Sequence, residues 1–169
     1  MSEGPIRIEL FSGKDSPQSL DEPLDLSVRV TNVSADPVWM VGVLPGSEGL
    51  RYPRYAVEIE GPSGPVETGL PEGLDYARGL RPEDFVRLAP GESFDPQRGR
   101  GFIPVQQLAW FRPTERGKYR LRLWLDTTAE DPREWMGHTF VRDRSKVETL
   151  VKQVPRVEVQ SNTLEIEFD

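Results

Sequence analysis

The stretch ERGKYRLRLWLDTT, residues 115–128, alternates apolar and polar side chains without a break from Tyr119 to Asp126. A strand sends successive side chains to opposite faces, so a period of two marks a strand with one face buried. Tyr119, Leu121, Leu123 and Leu125 then form one row, and Arg120, Arg122, Trp124 and Asp126 the other. A helix would scatter both rows around its axis and bury arginine with leucine. The outer row, two arginines beside a tryptophan, is either a binding surface or the solvated side of a sheet.

The same period recurs along the chain, each instance bounded by turn residues. IRIEL places Ile6, Ile8 and Leu10 inward, and LDLSVRV places Leu24, Leu26, Val28 and Val30 inward. A turn through Asn32 to Pro37 precedes a short apolar strand, and Tyr55, Val57 and Ile59 mark another before the turn GPSG. DFVRL runs to a break at Pro90-Gly91, and LEIEF closes the chain with Leu164, Ile166 and Phe168 inward. Short one-faced strands in this number describe an all-β, antiparallel sandwich of about seven to nine strands, with one or two short helices.

Two stretches depart from that period. PVQQLAWF spaces Val105, Leu108, Ala109 and Phe111 for a helical turn or two after Pro104. In SKVETLVKQVP, Ser145 and Glu148 have the spacing of a capping box, and Val147, Leu150, Val151 and Val154 follow helical periodicity up to Pro155. A strand pair within residues 147–159 is the competing reading. The chain of 169 residues reads as one domain over residues 1–169, with an insertion at about 128–160 before the last strand.

Three segments carry a resemblance. LDLSVRVTNVSADPV resembles the second strand and following turn of Greek-key, immunoglobulin-like β-sandwiches found in many bacterial accessory domains. VRLAPGESF is similar to the Leu-x-Pro-Gly-Glu segment ahead of their later strands, and RGKYRLRLWL to the Gly-x-Tyr start of the sixth. The order also resembles the small domain preceding the catalytic part of deuterolysin-type metallopeptidases and, more loosely, intracellular proteinase inhibitors of the BsuPI type. The resemblance implies that Gly117 makes a turn and that Tyr119 is a tyrosine corner, its hydroxyl bonded to upstream backbone. It implies an accessory or inhibitory role, since the peptidase motif H-E-x-x-H is absent.

Composition narrows the chemistry. A net charge of -7 argues against nucleic acid or an anionic membrane as partner. No apolar run approaches the roughly 18 residues of a membrane span, and MSEGPIRIEL lacks the pattern of a secretory leader. With no cysteine, disulfides, thiolate metal sites and cysteine nucleophiles fall away. A cytoplasmic protein is the expectation, or a secreted one whose leader has been removed.

Catalytic motifs are sparse. His138 is the single histidine, no G-x-S-x-G elbow accompanies it, and GPSG and RGRG lack the lysine and helix of a phosphate loop. Glu130, Asp131 and Glu134 group on a loop that offers weak calcium ligands, and carboxylates paired in space for hydrolysis leave no mark in a sequence. Asn32-Val33-Ser34 has the form of a glycosylation site but reads as a turn.

The strongest binding candidate is GLRYPRYAVE, where Arg51, Tyr52, Arg54 and Tyr55 combine guanidinium forks with aromatic faces at the start of a strand. Trp135 with His138 is a second. The expected function is a non-catalytic module recognising a protein, peptide or glycan through its loops, without a cofactor, as a monomer or weak dimer. The alternative is a carboxylate-based or calcium-dependent hydrolase. The outer arginines have a simpler account: if the last strand pairs with residues 117–126, Glu165 and Glu167 meet Arg120 and Arg122, and each cross-strand pair contributes about 0.2–1 kcal/mol.

Overall fold

The computed structural model describes residues 4–22, 24–42, 51–68, 79–98, 105–136 and 141–169. Antiparallel sheets dominate a mixed fold that has, among the described residues, ten strands in three sheets, three short α-helices and a single 3-10 turn at Pro82–Asp84. The first sheet has the order β1 (Ile6–Ser12), β2 (Leu26–Asn32), β7 (Ser93–Phe94). The second runs β10 (Leu164–Phe168), β8 (Gly117–Asp126), β4 (Arg54–Gly61), β5 (Gly64–Val66), with β9 (Glu158–Gln160) also on β8. The third pairs β3 (Val38–Val41) with β6 (Phe85–Leu88).

All seven strands expected from alternation are present, while β5, β7 and β9, of two or three residues each, are additional. Strands that short carry no readable period. The rows divide as the alternation predicts. Ile6, Ile8, Leu10, Val28 and Val30 of the first sheet share one buried cluster with Tyr119, Leu121, Leu123, Leu125, Ile166 and Phe168 of the second.

The tyrosine corner is formed: the Glu115 N–H donates to the Tyr119 hydroxyl at 3.2 Å. Gly117 has φ +127°, and a Cβ there would sit 2.8 Å from Pro62, so only glycine fits this turn. Pro90-Gly91 forms a type II turn, with Gly91 at φ +78° and the Glu92 N–H bonded to Ala89 O at 2.9 Å.

Asn32 joins elements that backbone pairing leaves apart. Its amide donates to Asp36 O at 2.8 Å and Leu88 O at 3.1 Å. Its Oδ1 accepts from the Ser34 N–H at 2.9 Å and the Ser34 hydroxyl at 2.7 Å. The side chain is thus a turn element and a tie from β2 to β6. In the folded chain its fully buried nitrogen has no room for a glycan.

Between β8 and β10 lie α2 (Arg133–Met136), α3 (Arg144–Val151) and β9, while α1 (Gln106–Trp110) precedes β8. The helical reading holds from Arg144 to Val151, whereas the strand pair does not form: the strand that begins at Glu158 pairs with β8. The capping box does not form. Asp143, in left-handed conformation at φ 55°, is the N-cap, and Glu148 pairs with Arg144 one turn back at 2.9 Å. Among the described residues no helix is long and apolar enough to cross a membrane.

Removing the Asn32 side chain takes the donor from the buried Leu88 carbonyl and both acceptor contacts from Ser34, while Asp36 O keeps the Ser34 hydroxyl. Asn32→Ala is expected to lower stability by about 2–4 kcal/mol in urea unfolding, against about 1 kcal/mol for Tyr119→Phe, which loses one hydrogen bond.

Candidate functional site

The outer face of the five-stranded sheet has two differently built halves. In the first, charges compensate. Glu165 lies opposite Arg120 in register and accepts from Arg120 at 3.0 Å and Lys118 at 3.4 Å. Glu60 approaches Arg120 at 3.6 Å, and Glu58 approaches Arg122 at 3.8 Å. The expected ladder is therefore present, with one difference: Glu167 faces Lys118, and Arg122 donates to Thr163 Oγ1 at 2.9 Å. With Glu165 opposite Arg120, antiparallel order alone puts Glu167 against Lys118 and brings Thr163 to Arg122.

From Gln160, opposite Trp124, to Leu164, opposite Leu121, the outer chain advances four residues while β8 advances three. The extra residue sits in a bulge over 161–163. The Ser161 hydroxyl there accepts from the Leu123 N–H at 3.0 Å. The Asn162 side chain crosses to the first sheet, accepting from the Leu10 N–H at 2.8 Å and donating to Leu10 O at 3.0 Å.

Beyond the bulge lies the second half. Trp124 stands opposite Ala56 on β4 and Gln160 on β9. Alanine is too short to cover an indole, so Trp124 stays partly exposed. Asp126 stands between Arg54 and Glu158 in register. These residues line a pocket of about 310 Å³, with Arg54, Tyr55, Ala56, Trp124, Asp126 and Glu158 around it. Asp126 Oδ1 accepts from the Thr128 N–H at 2.8 Å and its hydroxyl at 2.7 Å. Neither Asp126 nor Glu158 has an ion-pair partner among the described residues.

Thr127 holds the rim in place. Its buried hydroxyl donates to Pro155 O at 2.6 Å and accepts from the Val157 N–H at 3.0 Å, and its own N–H bonds to Val157 O at 2.9 Å. That clamp delivers β9, and with it Glu158, to the end of β8.

The two candidate groups separated in sequence meet behind this rim. The Arg54 guanidinium lies 4.3 Å from the Tyr52 ring centre, Tyr52 packs on Trp135 at 5.7 Å, and Arg156 covers Trp135 at 5.0 Å. Backbone contacts fasten the stack: the Tyr52 N–H to Glu134 O at 3.0 Å, and the Trp135 indole N–H to Ala129 O at 3.0 Å. Arg51 is buried and donates to Met136 O at 3.4 Å.

Tyr52, Tyr55 and Trp135 are also buried, so of the four residues in GLRYPRYAVE singled out above Arg54 alone reaches the surface appreciably. Burial, reinforced by the Asp95 charge, pushes the Tyr55 phenol well above the ordinary tyrosine range. His138 lies outside the described residues. Asp131 is engaged by Arg133 at 2.7 Å, and among the described residues no three Asp, Glu, His or Cys side chains converge as a metal site.

Trp124 and Asp126 were legible as outer-face residues of β8, but Ala56 and Glu158 were not, since cross-strand register is not written in either segment. A second cavity of about 230 Å³ lies between α1 and β2. There Arg98 pairs with Asp25 at 2.5 Å, and Arg112 donates to the carbonyls of Ala109 and Phe111 at 2.9 and 2.7 Å. The chain matches no protein-family model and no curated protein.

Two carboxylates give opposite pH dependence. The hydrogen bond from Arg120, with Lys118 beside it, holds Glu165 below the ordinary glutamate range. Its contribution is present above the unfolded value and is lost as pH falls through the folded one. Desolvation holds Asp95 above its ordinary value, despite the N–H groups of Gln97 and Val28 and the Arg98 charge, so its contribution is present in acid and lost as pH rises through the folded value. Urea unfolding across the acid range is expected to show the deficit of Glu165→Gln shrinking below about pH 4.3, the unperturbed glutamate value. Asp95→Asn is expected to gain relative to the parent as pH rises.

Proposed function

We propose that this protein is a non-catalytic binding module built on an immunoglobulin-like Greek-key sandwich, and that it recognises a protein or peptide at the Trp124 pocket. One observation carries this reading: an indole left open by Ala56, between carboxylates without ion-pair partners, on a face whose other half is charge-paired. Solvated strands gain little from an open tryptophan, whereas binding surfaces gain large apolar contact from one. The site sits on the sheet face, displaced from the loops expected to carry it. Arg54 links it to the Tyr52–Trp135 stack, which supports the rim.

A second reading has an observation of its own. Asp126 and Glu158 are direct cross-strand neighbours at the pocket, and paired carboxylates beside an aromatic platform also suit hydrolysis of a glycoside.

Screening peptide and glycan arrays, then repeating the positive ligands with Trp124→Ala, separates the readings. Binding is expected to fall at least about tenfold in the variant, the scale of one lost aromatic anchor, with unfolding behaviour retained. Binding indifferent to Trp124 would remove the pocket as the site. Turnover abolished by Glu158→Gln or Asp126→Asn would replace the module with the hydrolase.

A further inference from the structure

We infer that the Trp124 pocket takes the cationic side chain of a lysine or arginine presented by a basic segment of a partner protein. This rests on the reading of the pocket as the recognition site and names what it recognises.

Charge complementarity is the first argument. Asp126 and Glu158 bring two negative charges to the pocket and Arg54 one positive. The Arg54 guanidinium is laid against the Tyr52 ring at 4.3 Å, so its charge is partly engaged by that face. On the same sheet Glu58, Glu60 and Glu165 already have arginine partners. The carboxylates of the pocket have none among the described residues, and an arriving cation would complete the pattern. The net charge of -7 adds long-range attraction for a basic partner.

The indole is the second argument. Tryptophan is the strongest aromatic acceptor for a cation over its face, and carboxylates at its edge add an ion pair to the same ligand group. This fold already places guanidinium groups over rings at Arg29 on Phe11, Arg54 on Tyr52 and Arg156 on Trp135, at 4.6, 4.3 and 5.0 Å. Trp124 is without such a cation among the described residues.

Size is the third. About 310 Å³ lies at the small end of ligand sites, which run from about 300 to 1,000 Å³. One long side chain fits that volume better than an oligosaccharide, which needs a platform several rings long. An acidic side chain would face two carboxylates and gain one guanidinium.

The test is a titration followed by nitrogen–proton NMR at the Trp124 indole N–H, assigned by triple resonance. The probes are end-blocked Gly-Lys-Gly and Gly-Arg-Gly, their Leu and Glu counterparts, and a neutral glucose trisaccharide. Saturable movement of the Trp124 signal is expected with the lysine and arginine peptides, and not with the others.

The double variant Asp126→Asn, Glu158→Gln, which leaves Trp124 in place, is expected to weaken that response about tenfold, the order of two exposed ion pairs. In the unmutated protein, raising salt from about 0.1 M to about 1 M, which cuts the screening length from about 10 Å to about 3 Å, is expected to weaken it several-fold. The salt series needs no variant to fold. A response to the Glu peptide or the trisaccharide, and none to lysine or arginine, would overturn the cationic assignment while leaving the pocket as the site. No movement with any probe would remove both.

Discussion

Strand β8 is the constraint on which the second sheet depends. Its inner row, Tyr119, Leu121, Leu123 and Leu125, is buried to 2% exposure or less, and both of its edges are paired: β4 along one, β9 and β10 along the other. A strand held on three sides cannot slip, because a shift of one residue would exchange four core side chains for arginine, tryptophan and aspartate. The corner at Tyr119 and the glycine turn at Gly117 fix where the strand begins. The Thr127 clamp fixes where it ends and what lies beside it.

The bulge over 161–163 turns that rigid strand into a surface with two characters. Slipping the register by one residue places Glu165 against Arg120 on one side and Glu158 against Asp126 on the other. The first juxtaposition neutralises charge and the second concentrates it. Asn162, the middle residue of the bulge, also ties the second sheet to the backbone of β1 at Leu10. A cross-sheet tie and the charge asymmetry of the outer face thus have one origin, which gives the proposed binding pocket a rigid base.

The Tyr52–Trp135 stack shows how a reading of local chemistry can be right about contact and miss the role. Arg51, Tyr52, Arg54 and Trp135 stood out because aromatic rings beside arginines suit recognition. The fold brings Tyr52, Arg54 and Trp135 together, but spends the rings on each other and on backbone carbonyls, with Arg156 closing the far side. Trp124, unexplained by alternation alone, is the aromatic of this sheet face that remains partly open. The difference lies in the neighbour: Trp135 of α2 packs against Tyr52, whereas Trp124 faces Ala56 across the sheet.

The sequence by itself determined where seven of the strands lie and, for five of them, which row faces inward, because a period of two is a local property that burial enforces residue by residue. The Tyr119 contact, whose partners lie four residues apart, followed from the resemblance, and helical spacing marked Val147, Leu150 and Val151 beside a competing strand reading. Only the tertiary structure decided register, and with it every cross-strand neighbour. Glu158 and Asp126 lie far apart in the chain and meet through a bulge and a threonine clamp that no local pattern announces. The same alternation is compatible with Trp124 beneath a long side chain or opposite an alanine. Which of the two occurs depends on how strands from distant segments pair, and that decided whether this face ends in a closed charge ladder or an open pocket.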